Sequence, residues 1–472
     1  MYSQVVQVGS GSYANVLPSS KTAPPSAVYK TQNIQGSMPT NKWFSSILAM
    51  QYSSAHYGLP LCFNHTQNGL QIGLPVYEEK PDNVWGYFVN DLEVQADIGG
   101  TTLTSNDSRL DGYSDWIITV KWTHSQDSSK YFKATYGHGI VFVYFEFSEG
   151  TNPKIAFPAS VSAFDETGNI SGSVNKEHIG CIIHGKYYGL FAPEGSIFNI
   201  NSNYIVIQLP QDKRFFSIGI MTSQSDLSFY YQYAYAFVKE TRVSWNYDQK
   251  TNLVTTNYEF VTEPRQYNQT DTIMCLFPHQ WKNLKTNLTF LQQSFRTVRG
   301  YTKLSCGKSF ATENRFFGIL PFLPDKGDYD KQHLQQLLNQ DKLQDIYVPD
   351  SYNSAKQIAR TVNLIPIAEQ LNDTESKNYL ILKAKEVLTN WLTYTPQEEY
   401  AFFYYDPNWG SLIPFNNSFG DDFGLTDHHF QFGYFIYSAS ILSLYDRNFM
   451  NDYGPMVELL IKDIFCPYRN DP

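Results

Sequence analysis

The chain has 472 residues and a formal net charge of −10. No basic run or basic helix face offsets this charge, so a nucleic-acid partner is disfavoured. Aromatic residues make up 16 % of the chain, with 35 Tyr and 33 Phe. Such enrichment fits a carbohydrate-binding protein, because aromatic ring faces stack on the C–H faces of sugars. It fits a large β-rich core equally well.

The cysteines and the N-terminus exclude several further classes. Five scattered cysteines contain no Cys-x-x-Cys pair, which disfavours a zinc site or a disulfide scaffold. The N-terminus shows no secretory signal pattern, and no apolar run reaches the roughly 18 residues of a membrane span. Seven Asn-x-Ser/Thr triplets would matter only in a secreted protein, and compartment and oligomeric state stay open.

The first half of the chain is predicted to be mostly β-structure. Residues 1–30 are polar and rich in Ser, Pro and Thr, which predicts a loose arm. Residues 31–264 contain short β-branched and aromatic runs bounded by Gly, Pro, Asn and Asp. Because no long helical pattern separates these runs, we predict a large β-sandwich domain. The clearest runs are residues 116–122, 139–147, 181–192, 204–209 and 215–221.

A smaller mixed region follows, and after it the apolar spacing becomes helical. Residues 265–345 combine short strands with one helix in KQHLQQLLNQ, and we predict a small α/β linking domain. From residue 346 to 472 apolar residues recur at a period of 3.6, which predicts packed helices. The whole chain is therefore predicted to be an α+β multidomain protein.

Four helices are predicted in this last region. Asp350 caps the first, which Pro366 interrupts or kinks. The second starts at Asp373 or Thr374, and the third runs from about residue 428 to 445. The fourth starts near Pro455, since proline is favoured in a first turn.

Candidate chemistry is concentrated in one stretch, NSFGDDFGLTDHHFQFGYFIY, at residues 417–437. It holds three carboxylates and two histidines among glycines and aromatics, a composition found in sugar-cleaving pockets and also in ordinary loops that enter a helix. Inverting cleavage of a glycosidic bond needs a carboxylic acid and an opposing carboxylate base. Asp427 is our candidate acid. The alternative is that Asp427 only caps the helix that follows it, since Asp is a preferred N-cap residue.

The neighbouring residues supply further candidates. A metal site at Asp427, His428 and His429 is disfavoured because adjacent side chains at a helix start point in different directions. His429 is read as a hydrogen-bonding group in a sugar site or as a core histidine. Upstream, Asp406 and Trp409 lie in YYDPNWGSLIPF, where the indole is either a stacking platform or ordinary packing. Asp421 and Asp422 are read as loop residues that turn the chain or bind sugar hydroxyls.

Together these stretches resemble glycoside hydrolase family 81, the endo-β-1,3-glucanases. The resemblance rests mainly on FYYDPNWGSLIPFNNSFGDDFGLTDHHFQFGYFIYSASIL and is supported, in family order, by PTNKWFSSIL, GLPVY, DWIITVKW and GILPFLPDKG. It implies a β-sandwich, a small α/β domain and an (α/α)6 barrel. It also implies inverting hydrolysis of internal β-1,3-glucosidic bonds in a β-1,3-glucan, without a cofactor and with Asp427 as general acid.

The resemblance adds substrate-contacting residues and two departures from the family pattern. Asp406, Trp409, Asp422, His429 and Tyr434 are the expected substrate-binding residues. Gln431 stands where the family has a histidine, and Phe432 where it has a tyrosine. The resemblance to this family is also compatible with an extracellular location.

The largest departure concerns the general base. In the family it is a glutamate in a QESSSEA-like block downstream of DHHF, and the 45 residues after Asp427 contain no such block. Glu458, in PMVELLIKD, does not match. About four barrel helices are present where twelve are needed, so we expect an incomplete (α/α)6 domain. The alternatives are a truncated glucan-binding protein or pseudoenzyme without hydrolysis and, more remotely, a metal-dependent hydrolase.

Overall fold

The computed structural model describes residues 5–36, 38–52, 54–347, 350–396, 399–418, 425 and 427–466. The chain divides into two compact units. The helical unit comprises Met1–Val28, Gln35–Ser45 and Gly318–Pro472, and the sheet unit comprises Tyr29–Ile34 and Ser46–Phe317. The fold as a whole is mixed and rich in sheet.

The sheet unit is built on two large sheets of antiparallel strands. The first has nine strands, and the fully buried Val120, Phe145 and Ile218 lie on its central strands. From edge to edge its strands are β10 (Ser105–Tyr113), β11 (Ile117–His124), β12 (Tyr131–Gly137), β13 (Phe142–Phe147), β22 (Phe215–Met221), β19 (Lys186–Phe191), β18 (His178–Ile183), β15 (Ser162–Asp165) and β16 (Gly168–Ile170).

The second large sheet also has nine strands. Its path is β17 (Gly172–Asn175), β20 (Ile197–Ile200), β21 (Tyr204–Gln208), β14 (Asn152–Ala156), β8 (Leu92–Ile98), β5 (Gly69–Gly73), β4 (Cys62–His65) and β3 (His56–Tyr57), with β9 (Thr101–Thr102) paired to β8. Ring contacts join the two sheets: Phe63 lies 4.1 Å from Tyr136, and His65 lies 5.0 Å from Trp122, between ring centroids. The sheets therefore pack face to face.

Smaller elements complete the sheet unit. Among the described residues they comprise a three-stranded sheet with the long hairpin β23–β24, three two-stranded pairs and three short α-helices. These elements are β23 (Ala236–Asp248), β24 (Leu253–Pro264) and β29 (Ser309–Arg315); β25 (Thr272–Leu276) with β28 (Lys303–Gly307); β26 (Arg296–Thr297) with β27 (Gly300–Tyr301); β6 (Val76–Glu79) with β7 (Val84–Tyr87); and α1 (Ser46–Ala49), α2 (Leu227–Tyr231) and α3 (Pro278–Trp281).

In the described part of the helical unit, five longer helices form the framework. Aspartate side chains accept backbone N–H bonds at the starts of four of them, as expected of N-cap residues. Their apolar faces meet in two buried clusters, one of which surrounds Trp391. The helices are α4 (Lys331–Asp341), α5 (Ser351–Gln370), α6 (Thr374–Trp391), α7 (His428–Tyr445) and α8 (Arg447–Ile464).

A four-stranded sheet lies against these helices and joins the first two strands of the chain to its last two. Its order is β1 (Val5–Val8), β2 (Gly11–Ala14), β30 (Phe402–Asp406) and β31 (Ser411–Phe415). The Ser12 hydroxyl donates to the Tyr394 carbonyl at 3.0 Å and accepts from its N–H at 2.9 Å. Residues 5–14 are therefore an ordered hairpin, whereas the polar composition predicted a loose arm.

Two predicted helix positions need correction. Helix α5 continues through Pro366, because Val362, Ile365 and Ala368 around it are packed in a buried cluster that stabilises the helical path. Helix α8 starts at Arg447 and not near Pro455, which lies inside it. The prediction overlooked the capping Asp446. The caps Asp350 and Asp373 and the bounds of α7 are as predicted.

The compact units also divide the chain differently from the predicted domains. The predicted linking domain at residues 265–345 is split between the units after Phe317. Its strands β25 to β29 pair with one another and with β24, so they extend the sheet unit. Helix α4 belongs to the helical unit. One predicted strand run, residues 181–192, is a hairpin that turns at His184 and Gly185.

Candidate active site

Asp427 occupies the position immediately before helix α7. Its backbone is left-handed, with φ 61° and ψ 12°, a conformation that costs energy for most residues but that Asp and Asn tolerate. Its carbonyl accepts the N–H of Phe430 at 2.9 Å and of Gln431 at 3.0 Å. Its side chain makes no capping hydrogen bond. The partly exposed carboxylate is therefore not explained by helix capping, which was the alternative to a chemical role.

The rest of α7 holds this position rigidly. Its buried face carries Phe432 and Phe435, which pack against Phe403 of β30 at centroid distances of 5.5 and 5.7 Å. Trp391, at the end of α6, lies 5.2 Å from Phe435. Because interiors of this kind are close-packed, the first turn of α7 is fixed relative to β30 and β31.

A buried histidine–aspartate pair lies next to Asp427. The Nδ1 atom of His428 is 2.8 Å from Oδ1 of Asp463, near the end of α8, and both side chains are almost fully buried. The second oxygen of Asp463 accepts from the Ser411 hydroxyl and the Leu412 N–H, each at 2.8 Å. Asp463 thus joins the start of α7 to β31 and the end of α8. The sequence analysis missed it, since nothing in KDIF distinguishes it from a surface aspartate.

Gln431 is also buried in this region. Its Oε1 accepts a hydrogen bond from the hydroxyl of Ser351, the first residue of α5, and its Nε2 donates to the Ser418 carbonyl at 3.3 Å. The N–H of Ser351 donates to the Asn416 carbonyl at 2.8 Å. In this structure the departure from histidine at position 431 therefore affects internal contacts between α5, α7 and residues 416–418.

Asp406 and Trp409 organise the turn between β30 and β31. Asp406 accepts the N–H groups of Asn408 and Trp409 at 2.8 and 3.1 Å. The indole of Trp409 is 1 % exposed and donates to the Pro25 carbonyl at 2.8 Å. Burial and the charge of Asp406 raise the pKa of Tyr404 above its ordinary value, so this phenol stays protonated. These contacts favour packing over sugar stacking for Trp409.

Other predicted residues are more accessible. His429 is exposed beside Phe430, which is 54 % exposed and whose ring centroid lies 5.0 Å away. Tyr434, two turns beyond Asp427, is half-buried and meets Tyr352 of α5 edge-on at 5.9 Å. Asp421 and Asp422 lie outside the described residues. Among the residues that the structure does describe, no three His, Cys, Asp or Glu side chains form a potential metal cluster.

Comparison with models of protein families identifies the family of this chain. The N-terminal domain of glycosyl hydrolase family 81 matches residues 23–324, and the C-terminal domain of the same family matches residues 328–472. The chain belongs to glycosyl hydrolase family 81.

Relatives within family 81 cover nearly all of this chain. A glucan endo-1,3-beta-D-glucosidase of Acetivibrio thermocellus is 37 % identical over 96 % of this chain and 58 % of the relative. A protein of the same name from Thermobifida fusca is 32 % identical over 99 % of this chain and 62 % of the relative. The chain thus spans about three fifths of the length of these relatives.

A solved structure agrees with this assignment. A mutant of a family 81 glycoside hydrolase from Clostridium thermocellum superimposes with a TM-score of 0.88 at 37 % identity, over 99 % of this chain and 64 % of that one. Within the described part of this family 81 chain, no helix is long and apolar enough to cross a membrane.

Proposed function

We propose that this chain takes part in hydrolysis of internal β-1,3-glucosidic bonds in β-1,3-glucan, with Asp427 as general acid. The observation that carries the proposal is the left-handed Asp427, whose carboxylate does not cap the helix that it precedes. Non-glycine residues in the left-handed region are concentrated at functional sites. Family membership and the activity for which the relatives are named supply the bond that is cleaved.

The proposed reaction inverts the anomeric centre. Asp427 donates a proton to the oxygen of the leaving sugar while a second carboxylate activates water on the opposite face of the ring. That second group must lie about 6.5–9.5 Å from the acid. We assign it to none of the 472 residues. We therefore propose that hydrolysis requires a base that this stretch does not supply, together with the further helices of an (α/α)6 domain.

The proposed substrate contacts differ in support. His429 and Tyr434 lie within two turns of Asp427 and are accessible, so they support a role in holding the sugar through their ring and polar atoms. Asp422, outside the described residues, remains a proposed contact. Asp406 and Trp409 are proposed to act indirectly, by fixing the turn between β30 and β31.

A second candidate function is binding of β-1,3-glucan without hydrolysis. It is favoured by the absence of a sequence match to the family's glutamate block. A metal-dependent hydrolase, the third possibility, is not supported by the described residues, and a chelator assay tests it directly.

The deciding experiment incubates the purified chain, and any longer product of the same gene, with laminarin. Early appearance of internal fragments supports endo-hydrolysis, and an α-anomer as the first product, seen by proton NMR, supports inversion. A β-anomer as the first product would contradict the inverting mechanism. Binding of laminarin by every form of the protein, without new reducing ends, would favour the second candidate. Activity abolished by EDTA would favour the third.

A further inference from the structure

The hairpin β6–β7 of the sheet unit exposes an unusual set of side chains on one face. Antiparallel pairing places Val76 opposite Tyr87 and Glu78 opposite Trp85, so these four residues share a face. Trp85 is 50 % exposed and Tyr87 is 43 % exposed. The Tyr87 hydroxyl donates to Glu78 at 2.9 Å. Two aromatic side chains two positions apart therefore form one row along a single strand, about 7 Å apart.

The opposite face fastens the hairpin to the sheet unit. The Tyr57 hydroxyl donates to the Gly86 carbonyl at 3.1 Å. A Cβ atom at Gly86 would lie 3.1 Å from the Tyr77 ring, so glycine permits this close approach. Arg296 lies over the same ring and forms an ion pair with Glu79. These contacts hold the hairpin that carries the aromatic row against the rest of the sheet unit. Less conformational entropy is therefore lost when a ligand binds.

We propose that Trp85, Tyr87 and Glu78 form a surface site of the sheet unit that binds a neutral glucan chain. The inference rests on the proposed function for its ligand class. The two aromatic faces would stack on successive sugar rings, while the Glu78 carboxylate and the Tyr87 hydroxyl would bond to sugar hydroxyls.

The charges around the row favour a neutral polyol over a charged partner. The Lys80 ammonium lies 5.6 Å from the Trp85 ring and 4.0 Å from Glu78. One cation and one anion therefore flank the row, and neither sign dominates. Sugar hydroxyls both donate and accept hydrogen bonds, so a glucan satisfies both groups. For an anionic or a cationic polymer, attraction to one member of the Lys80–Glu78 pair would be offset by repulsion from the other.

The test measures retention on insoluble β-1,3-glucan (curdlan) particles in the cold. The proteins are wild type, Trp85→Ala, Tyr87→Ala and the control Trp245→Ala, which removes an indole that is 65 % exposed elsewhere on the sheet unit. We expect Trp85→Ala and Tyr87→Ala to weaken binding at least about tenfold, as loss of an aromatic anchor does. The control should stay within about twofold of wild type. Circular dichroism confirms that each variant is folded.

Binding unchanged in both hairpin variants would overturn the proposal, as would an equal loss in the control. Retention on polygalacturonate particles in place of curdlan would overturn the neutral assignment. Laminarin hydrolysis by the same preparations separates this inference from the proposed function. If laminarin is hydrolysed but curdlan binding does not depend on the hairpin residues, only the surface-site proposal fails. If curdlan binding depends on the hairpin residues but no form of the protein hydrolyses laminarin, the surface site is supported and the hydrolytic proposal fails.

Discussion

At the scale of single residues, the important contrast is between Asp427 and Asp463. Asp427 has a carboxylate that forms no capping hydrogen bond and is partly exposed to solvent. Asp463 has a buried carboxylate whose oxygens are occupied by three protein donors. The first arrangement suits a group that exchanges protons with a ligand. The second suits a group that holds the structure around it.

Replacing Asp427 by Asn should abolish hydrolysis without unfolding the protein. Asn tolerates the left-handed backbone as well as Asp does, so the variant keeps its geometry but cannot act as an acid. We expect the initial rate on laminarin to fall by roughly 10²–10⁴-fold, in whichever form of the protein is active. The midpoint of thermal unfolding should stay within a few degrees. Near wild-type turnover would remove the assignment, and Glu458→Gln, on the exposed side of α8, is the control.

Replacing Asp463 by Ala should destabilise the helical unit. The change leaves His428, the Ser411 hydroxyl and the Leu412 N–H without their shared acceptor in a buried place. Uncompensated buried polar groups cost about 1–3 kcal/mol each, with partial relaxation, so we expect a loss of about 2–4 kcal/mol. Urea unfolding measures it, and Glu458→Gln should lie within about 0.5 kcal/mol of wild type. An unchanged urea midpoint for Asp463→Ala would contradict the role described.

At the scale of elements, local patterns were sufficient where the chain makes local contacts. The 3.6-residue period predicted helix α7 correctly. The capping Asp350 and Asp373 predicted the starts of α5 and α6 correctly. Local patterns failed at Pro366 and Pro455, because packing of the surrounding side chains outweighed the local preference of proline. They also failed for the hairpin of residues 5–14, because its strand β2 pairs on the other side with β30, almost 400 residues away. A non-local strand pair leaves no periodic signal beyond its own few residues.

Two glycine-to-alanine changes should have opposite effects in the helical unit. A Cβ atom at Gly11 would lie 2.4 Å from the Leu392 carbonyl oxygen and 2.7 Å from Cγ of Met456, whereas one at Gly433 meets nothing within 4 Å. Gly11→Ala should therefore cost about 1–3 kcal/mol through overpacking. Gly433→Ala should add about 0.5–1 kcal/mol by favouring helix. Urea unfolding compares the two; equal midpoints would show that β2 is not held as described.

At the scale of the whole molecule, the packing of the two large sheets includes a buried polar network. The Tyr136 hydroxyl lies 3.0 Å from Nε2 of His56 and 2.6 Å from Nε2 of His65. Nδ1 of His65 lies 3.0 Å from the Ser108 hydroxyl. Burial lowers the pKa of His56 to about 3 and that of His65 well below its ordinary value. Both imidazoles are therefore neutral in the folded sheet unit at pH 5 to 7.

This network predicts a loss of stability in mild acid. Between pH 6.5 and about 3 the unfolded chain protonates His56 and the folded chain does not, so the free energy of unfolding falls as the pH drops below 6.5. For His56 alone the loss at pH 5 is about 2 kcal/mol. Hydrogen exchange of β4 and β12 at pH 7 and pH 5, corrected for intrinsic rates, measures it. His56→Gln should reduce the pH dependence by that amount; an unchanged dependence would contradict the assignment.

The candidate site itself was only partly predictable. The DHHF stretch pointed to Asp427 because its letters form a long, specific match. His428–Asp463 and Gln431–Ser351 were invisible because each joins segments 35 to 80 residues apart through side chains that are ordinary in isolation. The burial of Trp409 could not be predicted either, because the same Trp-Gly sequence occurs whether the indole contacts a sugar or packs in the core.

The seating of the N-terminal hairpin has a consequence for biosynthesis. Strand β2 is bound by the Leu392 carbonyl and Tyr394, and the Ser10 N–H by the Asp452 carbonyl. A ribosome that adds about 5–20 residues per second exposes residues 5–14 for on the order of 20–80 s before these acceptors have been synthesised. During that interval the hairpin has no place to dock, so its first partners in the cell are solvent and chaperones. Slowing translation just before the codon for residue 392 would lengthen this exposure, and a fusion partner placed directly before residue 5 would stay next to an undocked hairpin for the same time.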